Sequence, residues 1–273
     1  VSGEIANRDS LLVQTPESLK ARFNLDVRPF HEVVQISPED HTVTVRHDGQ
    51  EFTESYDKLI LSPGAKPFVP AIDGLAEAKN AYTLRNVPNL DEIMAALDKH
   101  PKEAVVIGAG FIGLEMAENL AKRGLHVTIV EKAPHVLPPL DQEMAAFVQA
   151  ELIKNSVRVI TSQSATRFEE QGKIIVLENG QTITSDLTIL SVGVEPENGL
   201  AKAAGIELGI RGGILVDENY ETSQKDIFAV GDAIIVKQEI TSQDALISLA
   251  SPANRQGRQV ADVIAGMERK NKG

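Results

Sequence analysis

Six consecutive residues of this sequence, Gly108-Ala-Gly-Phe-Ile-Gly113, have the spacing of a loop that binds a pyrophosphate. The apolar run Ala104–Ile107 precedes the loop and predicts a buried strand, and a helix is predicted over 112–123. The first glycine permits a tight turn, the second lets the backbone approach the phosphates, and the third lets helix and strand pack closely. The positive end of the helix then favours the phosphate charge, so the loop predicts a dinucleotide site.

Glu131 ends the next predicted strand, Val127–Val130, 23 residues after Gly108. A carboxylate at this place can accept hydrogen bonds from the ribose hydroxyls of NAD, and its charge disfavours the 2′-phosphate of NADP. The sequence therefore predicts NADH in preference to NADPH. Two neighbours leave alternatives open. Lys132 either turns toward a phosphate or is a solvated surface lysine, and Glu115 either orients the nicotinamide, pairs with a basic residue or only complements the helix dipole.

Composition excludes several other kinds of chemistry. The sequence has no cysteine, so this chain offers no disulfide, thiolate metal site or redox thiol, and no catalytic residue is predicted. Its six histidines lack metal-ligand spacing, so we expect no metal site. The net charge of −12 argues against nucleic acid and anionic membranes, and no apolar run approaches the roughly 18 residues of a membrane helix.

The predicted elements alternate between short strands and helices. Thr15 and Asp141 are placed to cap helices, and the second of these helices is predicted to turn Met144, Phe147, Val148 and Leu152 toward the core. Tight turns are predicted at Asp48-Gly49 and Asn179-Gly180. The other predicted strands are residues 31–36, 42–46, 58–61, 157–161, 173–177, 181–184, 187–192 and 227–230, and the other helices are residues 90–97 and 254–264.

An internal repeat joins two parts of the chain. A strand and hairpin turn, an acidic residue, a buried strand and a Gly-x-x-Pro sequence occur in this order up to Pro67 and again up to Pro196. Chance resemblance between two hairpins is the alternative. If the repeat is real, the first copy needs a phosphate loop of its own. In the second copy Gly108 lies 85 residues before Gly193, and the same distance before Gly64 falls ahead of Val1. We therefore expect the chain to be a fragment that begins inside a first dinucleotide domain.

The sequence resembles the FAD-dependent pyridine nucleotide–disulfide oxidoreductases, most of all the branch of coenzyme A disulfide reductase, NADH oxidase and NADH peroxidase. The most specific parts of the resemblance are the stretches 222–233 and 252–258, and it covers essentially the whole chain. It implies an α/β fold in which a Rossmann-like three-layer NAD(H)-binding domain, residues 82–195, is inserted in a partial FAD-binding domain of similar fold. The FAD-binding parts are residues 1–81 and 196–273.

The resemblance also implies roles for individual residues. The residues implied to bind NAD(H) are Gly108, Gly110, Phe111, Ile112, Gly113, Glu115, Glu131, Lys132 and Gly193. The residues implied to contact FAD are Val33, Gly64, Asp232, Ala253 and Asn254. Of these, Asp232 would hydrogen-bond the ribityl chain, although a turn residue at the end of a strand is the alternative.

The function implied is hydride transfer from NADH to FAD within a disulfide reductase like coenzyme A disulfide reductase. The family's redox cysteine and first FAD loop are absent from this sequence, so the enzyme is expected to be complete only in a longer form. The acceptor would then be a small disulfide, oxygen or peroxide. The alternatives are a fragment of an NADH oxidase or peroxidase and a non-catalytic NADH-binding module. A cytoplasmic location and a homodimeric full-length form are further expectations.

Overall fold

The computed structural model describes residues 1–269. Its strands are β1 (Glu32–Ser37), β2 (Thr42–His47), β3 (Gln50–Ser55), β4 (Leu59–Leu61), β5 (Ala65–Pro67), β6 (Ala81–Tyr82), β7 (Glu103–Ile107), β8 (His126–Val130), β9 (Arg158–Ile160), β10 (Ala165–Glu169), β11 (Ile174–Leu177), β12 (Thr182–Thr184), β13 (Leu187–Leu190), β14 (Val194–Pro196), β15 (Ile227–Ala229), β16 (Val236–Lys237) and β17 (Asp244–Ala245). Its α-helices are α1 (Pro16–Phe23), α2 (Val87–Leu97), α3 (Phe111–Lys122), α4 (Gln142–Lys154), α5 (Gly199–Ala203) and α6 (Ala250–Ile264).

The chain divides into two compact units. The first unit contains Val1–Leu11 and Pro67–Val194, and the second contains Leu12–Lys66 and the residues from Glu195 onward. The predicted domain limits differ, because they placed residues 1–11 and 67–81 with the second unit. Residues 1–11 belong to the first unit because they bond to its helices, as in the 2.8 Å contact between Arg8 Nη2 and Asp91 Oδ2.

The first unit is built on a parallel sheet with the strand order β6-β13-β7-β8-β9. Residues alternate along β7, so Ala104 and Val106 pack in one core cluster with α2, α3 and α4. Val105 and Ile107 point the other way and pack against the antiparallel sheet β10-β11-β12. Helices, parallel sheet and antiparallel sheet form three layers, which confirms the predicted Rossmann-like α/β fold.

Helix α4 corrects one prediction from the sequence. Met144 and Phe147 were predicted to face the core, but they are 56% and 73% exposed. Ala145 is fully buried instead, whereas Val148 and Leu152 pack against the same core as predicted. Asp141 occupies the predicted N-cap position without making a side-chain hydrogen bond to the helix.

The second unit combines an antiparallel sheet, β1-β2-β3, with the parallel pair β4 and β15. The turn between β2 and β3 has positive φ at both Asp48 and Gly49, as the predicted tight turn requires. The core of the second unit contains Ile36 of β1, Leu61 of β4 and Phe228 of β15. In each unit a three-stranded antiparallel sheet is followed along the chain by a strand in parallel pairing, which is β4 in the second unit and β13 in the first. The sequence repeat has the same order.

Within residues 1–269, no helix has both the length and the apolar character needed to cross a membrane. The same residues form no group of three or more His, Asp or Glu side chains that could hold a metal ion.

Candidate dinucleotide-binding site

The glycine loop joins β7 to α3, as the sequence predicts. Gly108 has a φ of +101°, and a Cβ on it would overlap the backbone carbonyl of Ser191. A Cβ on Gly113 would overlap the carbonyl oxygen of Gly108 and lie 2.6 Å from Ser191 Oγ. These two positions therefore accept only glycine without a shift, because the loop, the start of α3 and the end of β13 are in close contact.

Gly110 is the N-cap of α3 and, unlike Gly108 and Gly113, is not in close contact with neighbouring backbone. A Cβ built on it meets no atom within 4 Å. The first N–H that donates within α3 is that of Leu114, to the carbonyl of Gly110 at 3.0 Å. The N–H groups of residues 111–113 therefore precede the helical hydrogen bonds and are donors suited to a phosphate. Open space at Gly110 leaves room for a ligand to approach this backbone.

Glu131 follows β8 and is only 9% exposed. Its Oε2 accepts a hydrogen bond from the backbone N–H of Ala109 at 2.6 Å, and its Oε1 accepts one from the N–H of Ala133 at 2.7 Å. The carboxylate thus touches both the glycine loop and the segment after β8. Each carboxylate oxygen has more than one acceptor site, so these bonds leave capacity for ribose hydroxyls.

The remaining predicted NAD residues lie on exposed parts of the same unit. The side chains of Phe111 and Ile112 are exposed at the start of α3. Glu115 and Lys132 are exposed too. Gly193 has a φ of +122°, with open space where a Cβ would lie.

The second unit holds a cavity of about 530 Å³ at the carboxyl ends of β4 and β15, beside α6. Its lining is Ile60, Ser62, Gly64, Val230, Gly231, Asp232, Ala253, Gly257 and Val260. Three residues predicted to contact FAD, Gly64, Asp232 and Ala253, are therefore brought together. Val33 and Asn254 are not in this lining: Val33 packs against the core of the unit, and Asn254 Oδ1 accepts a hydrogen bond from Arg258.

Helix α6 begins at Ala250, four residues earlier than predicted. Pro252 lies at its third position, where a proline loses only an N–H that has no helical partner. Ala253 and Asn254 consequently lie after the first three residues of the helix and not at its opening.

Two functional positions were missed by the sequence reasoning. Ser191 Oγ donates to the carbonyl oxygens of Ile107 and Gly108 at 3.0 and 2.9 Å, which ties the loop to β13. Buried Gln256 accepts a 2.7 Å hydrogen bond from the N–H of Gly231 and ties α6 to the turn that carries Asp232. The sequence repeat could have pointed to Ser191, because this serine follows β13 as Ser62 follows β4.

A model of the pyridine nucleotide-disulphide oxidoreductase family matches residues 3–257. The chain belongs to this family. An NADH oxidase from Methanocaldococcus jannaschii is 36% identical over 99% of this chain and 61% of its own. A coenzyme A disulfide reductase from Staphylococcus aureus is 34% identical over 97% of this chain and 60% of its own. The chain thus spans about three fifths of the length of these curated relatives.

Solved structures share the fold. The structure of reduced Bacillus anthracis CoADR-RHD has a TM-score of 0.97 and 49% identity, covering 100% of this chain and 50% of that one. The water-forming NADH oxidase from Lactobacillus brevis bound to NADH has a TM-score of 0.89 and 30% identity, covering 99% of this chain and 60% of that one.

An engineered form of the Lactobacillus brevis enzyme, a water-forming NADPH oxidase bound to NADPH, is also similar, with a TM-score of 0.91 and 29% identity over 99% of this chain and 60% of that one. Its substitutions include a glycine replaced by alanine and, 18 positions later, an aspartate replaced by alanine. The residue after that aspartate is changed from alanine to arginine, and a proline seven positions after the aspartate is also changed to arginine. In this chain Glu131 follows Gly113 by 18 positions and precedes Pro138 by seven.

Proposed function

We propose that this chain is the cofactor-binding part of an NADH-dependent flavoprotein oxidoreductase. Bound NADH supplies a hydride and bound FAD accepts it. The observation that carries the proposal is the loop Gly108–Gly113 placed between β7 and α3, with the buried carboxylate of Glu131 hydrogen-bonded to it. The first unit holds the nicotinamide dinucleotide, and the second unit provides part of the FAD site.

The loop supports binding through its backbone. Gly110 gives a phosphate access to the N–H groups at the start of α3, and the helix dipole favours negative charge there. Phe111 and Ile112 offer apolar surface beside these amides. We assign Gly193 and Glu115 to the nicotinamide side, where Gly193 allows close approach and Glu115 orients the ring.

The preference for NADH is supported by Glu131 and by the engineered relative. That relative binds NADPH and has lost an aspartate with the same spacing from a glycine as Glu131 has from Gly113. Retaining an acid here favours ribose hydroxyls over a 2′-phosphate. Lys132 follows Glu131 directly, as the introduced arginine follows the replaced aspartate in the relative, so one cationic side chain is already next to the acid.

The cavity of the second unit is suited to the polar chain and ring edge of a flavin. It is lined by backbone at Gly64 and Gly231, by the carboxylate-bearing residue Asp232 and by the apolar Ala253. We propose that Asp232 accepts hydrogen bonds from the ribityl hydroxyls and that Val33 offers backbone groups to the adenine. Asn254 lies on α6, which we propose directs its first turn toward the flavin.

For the electron acceptor we propose a small disulfide of the coenzyme A type in the full-length protein, because relatives of that name match nearly the whole chain. The reducing thiol would belong to a part of the protein outside these residues, since the sequence has no cysteine. A water-forming or peroxide-reducing oxidase is the second candidate, favoured by the relative named NADH oxidase. A homodimeric, cytoplasmic full-length enzyme is part of the same proposal.

The test is a spectrophotometric titration of the purified full-length protein with NADH in the absence of oxygen. We expect a flavin band at about 450 nm, a property of the cofactor, and its bleaching by one equivalent of NADH. Coenzyme A disulfide or oxygen is then added to separate samples. Recovery of the band with the disulfide supports the reductase, and recovery only with oxygen supports the oxidase.

A protein that binds NADH without flavin would instead be a nicotinamide-binding module. Failure to bind NADH at all would contradict the proposed function.

A further inference from the structure

Glu131 has contacts that ribose recognition alone does not require. Its carboxylate is buried and accepts hydrogen bonds from two backbone N–H groups, those of Ala109 at 2.6 Å and Ala133 at 2.7 Å. One of these amides belongs to the glycine loop, and the other belongs to the segment after β8. The carboxylate therefore connects two backbone segments that are distant in sequence.

The same two segments are joined a second time. The carbonyl of Ala109 accepts a 2.9 Å hydrogen bond from the N–H of Leu137, which is also in the segment after β8. Both polar backbone groups of Ala109 are thus bonded to this segment, and Gly110 follows directly in the chain. The direction of the peptide at Gly110 depends on this arrangement, and so does the position of the N–H groups that open α3.

We propose that Glu131 is a positioning residue for the phosphate loop as well as a reader of the ribose. Its carboxylate holds Ala109, and with it the start of α3, in the arrangement that binds the pyrophosphate. The inference rests on the proposed function, since it needs the loop to bind a dinucleotide. It predicts that removing the charge weakens ligands that have no ribose hydroxyls to read.

The chemistry of the side chain supports this role. A carboxylate can accept hydrogen bonds at both oxygens, whereas a glutamine would place an NH₂ group against one of the two N–H donors.

The experiment compares two ligands, ADP and 2′,3′-dideoxyadenosine 5′-diphosphate, by calorimetric titration of the full-length protein. The second ligand keeps the pyrophosphate and lacks both ribose hydroxyls. Glu131→Ala and Glu131→Gln are measured beside Glu103→Gln, which removes an acid at the opposite end of the sheet. Circular dichroism and melting temperature establish that each variant is folded.

We expect Glu131→Ala to weaken the dideoxy ligand about tenfold, as the loss of a hydrogen bond to a charged group predicts. Glu131→Gln should show most of this loss, and Glu103→Gln none. If the dideoxy ligand binds Glu131→Ala as tightly as it binds the parent, or more tightly, while ADP is weakened, Glu131 acts on the ribose alone and the positioning role is wrong. If the parent binds neither ADP nor NADH, the proposed function itself is wrong. Should Glu131→Ala not fold, the same comparison is made with Glu131→Gln.

Discussion

Glu131 Oε2 lies 2.6 Å from the backbone nitrogen of Ala109, so the acid predicted to recognise the ribose also contacts the phosphate loop. If the proposed function is right, cofactor choice and loop position are linked through this one side chain. A change at this residue should alter which dinucleotide binds, and the neighbouring Lys132 should decide how far the preference moves.

Replacing Glu131 by alanine should weaken NADH about tenfold or more and tighten NADPH relative to NADH, because the charge that disfavours a 2′-phosphate is removed. The gain for NADPH should be smaller in the double variant Glu131→Ala/Lys132→Ala, because that variant also lacks the neighbouring cation. Fluorescence titration with both nucleotides measures this. Unchanged affinities for both would show that Glu131 does not contact the dinucleotide.

Gly113→Ala and Gly110→Ala should separate folding from binding. The first places a methyl group against the carbonyl of Gly108, so we expect a loss of about 1–3 kcal/mol in the free energy of unfolding. The second meets no atom of the protein and should leave stability nearly unchanged, yet it fills the space that a phosphate needs. Urea denaturation and NADH titration of both variants are compared. A stable Gly110→Ala variant with normal NADH affinity would contradict the assignment of Gly110.

Asp232→Ala should lower flavin retention by the full-length protein by about tenfold or more, because a hydrogen-bonding carboxylate is lost from the cavity beside α6. NADH affinity should change less than about twofold, a free-energy difference of only about 0.4 kcal/mol. Flavin fluorescence after gel filtration and NADH titration measure the two effects. A tenfold change in NADH affinity with normal flavin content would place Asp232 outside the flavin site.

Asp186 should make stability depend on pH. Backbone N–H groups of Glu103 and Lys102 donate to its carboxylate at 3.0 and 2.9 Å, and they hold the pKa of Asp186 below its ordinary value of 3.8. The folded state thus favours the ionised form. Its stabilisation is complete above the ordinary pKa and is lost as the pH falls through the lower, folded-state pKa.

Asp186→Asn should therefore reduce the free energy of unfolding at pH 7 by less than about 1 kcal/mol, because the side chain is partly exposed. The difference from the parent should shrink toward zero as the pH falls below the folded-state pKa. Asp57→Asn, at the corresponding place in the other copy of the repeat, is the matched control. A difference that persists unchanged at acid pH would mean that the charge of Asp186 is not the cause.

Much of the site could be predicted because its signals are local. The spacing of Gly108, Gly110 and Gly113 specifies a strand, a turn and a helix within a few residues, and Glu131 follows the next strand. The start of α6 was less predictable, because Pro252 normally marks a boundary and here lies inside the first turn. Phe147 was wrongly predicted to face the core, because an apolar residue on a helix does not by itself show which side of the helix packs against the sheet.

The sequence by itself determined the class of fold, the family and the glycine loop, because turn geometry and residue alternation depend on neighbours along the chain. Only the tertiary structure decided which groups hold the loop in place. The hydroxyl of Ser191 reaches the carbonyl of Gly108 across 83 residues, and Gln256 reaches Gly231 across 25. Such contacts depend on how strands and helices are ordered in space. The hydrogen bond from the N–H of Ala109 to Glu131 is of the same kind, because it exists only once β7 and β8 lie side by side.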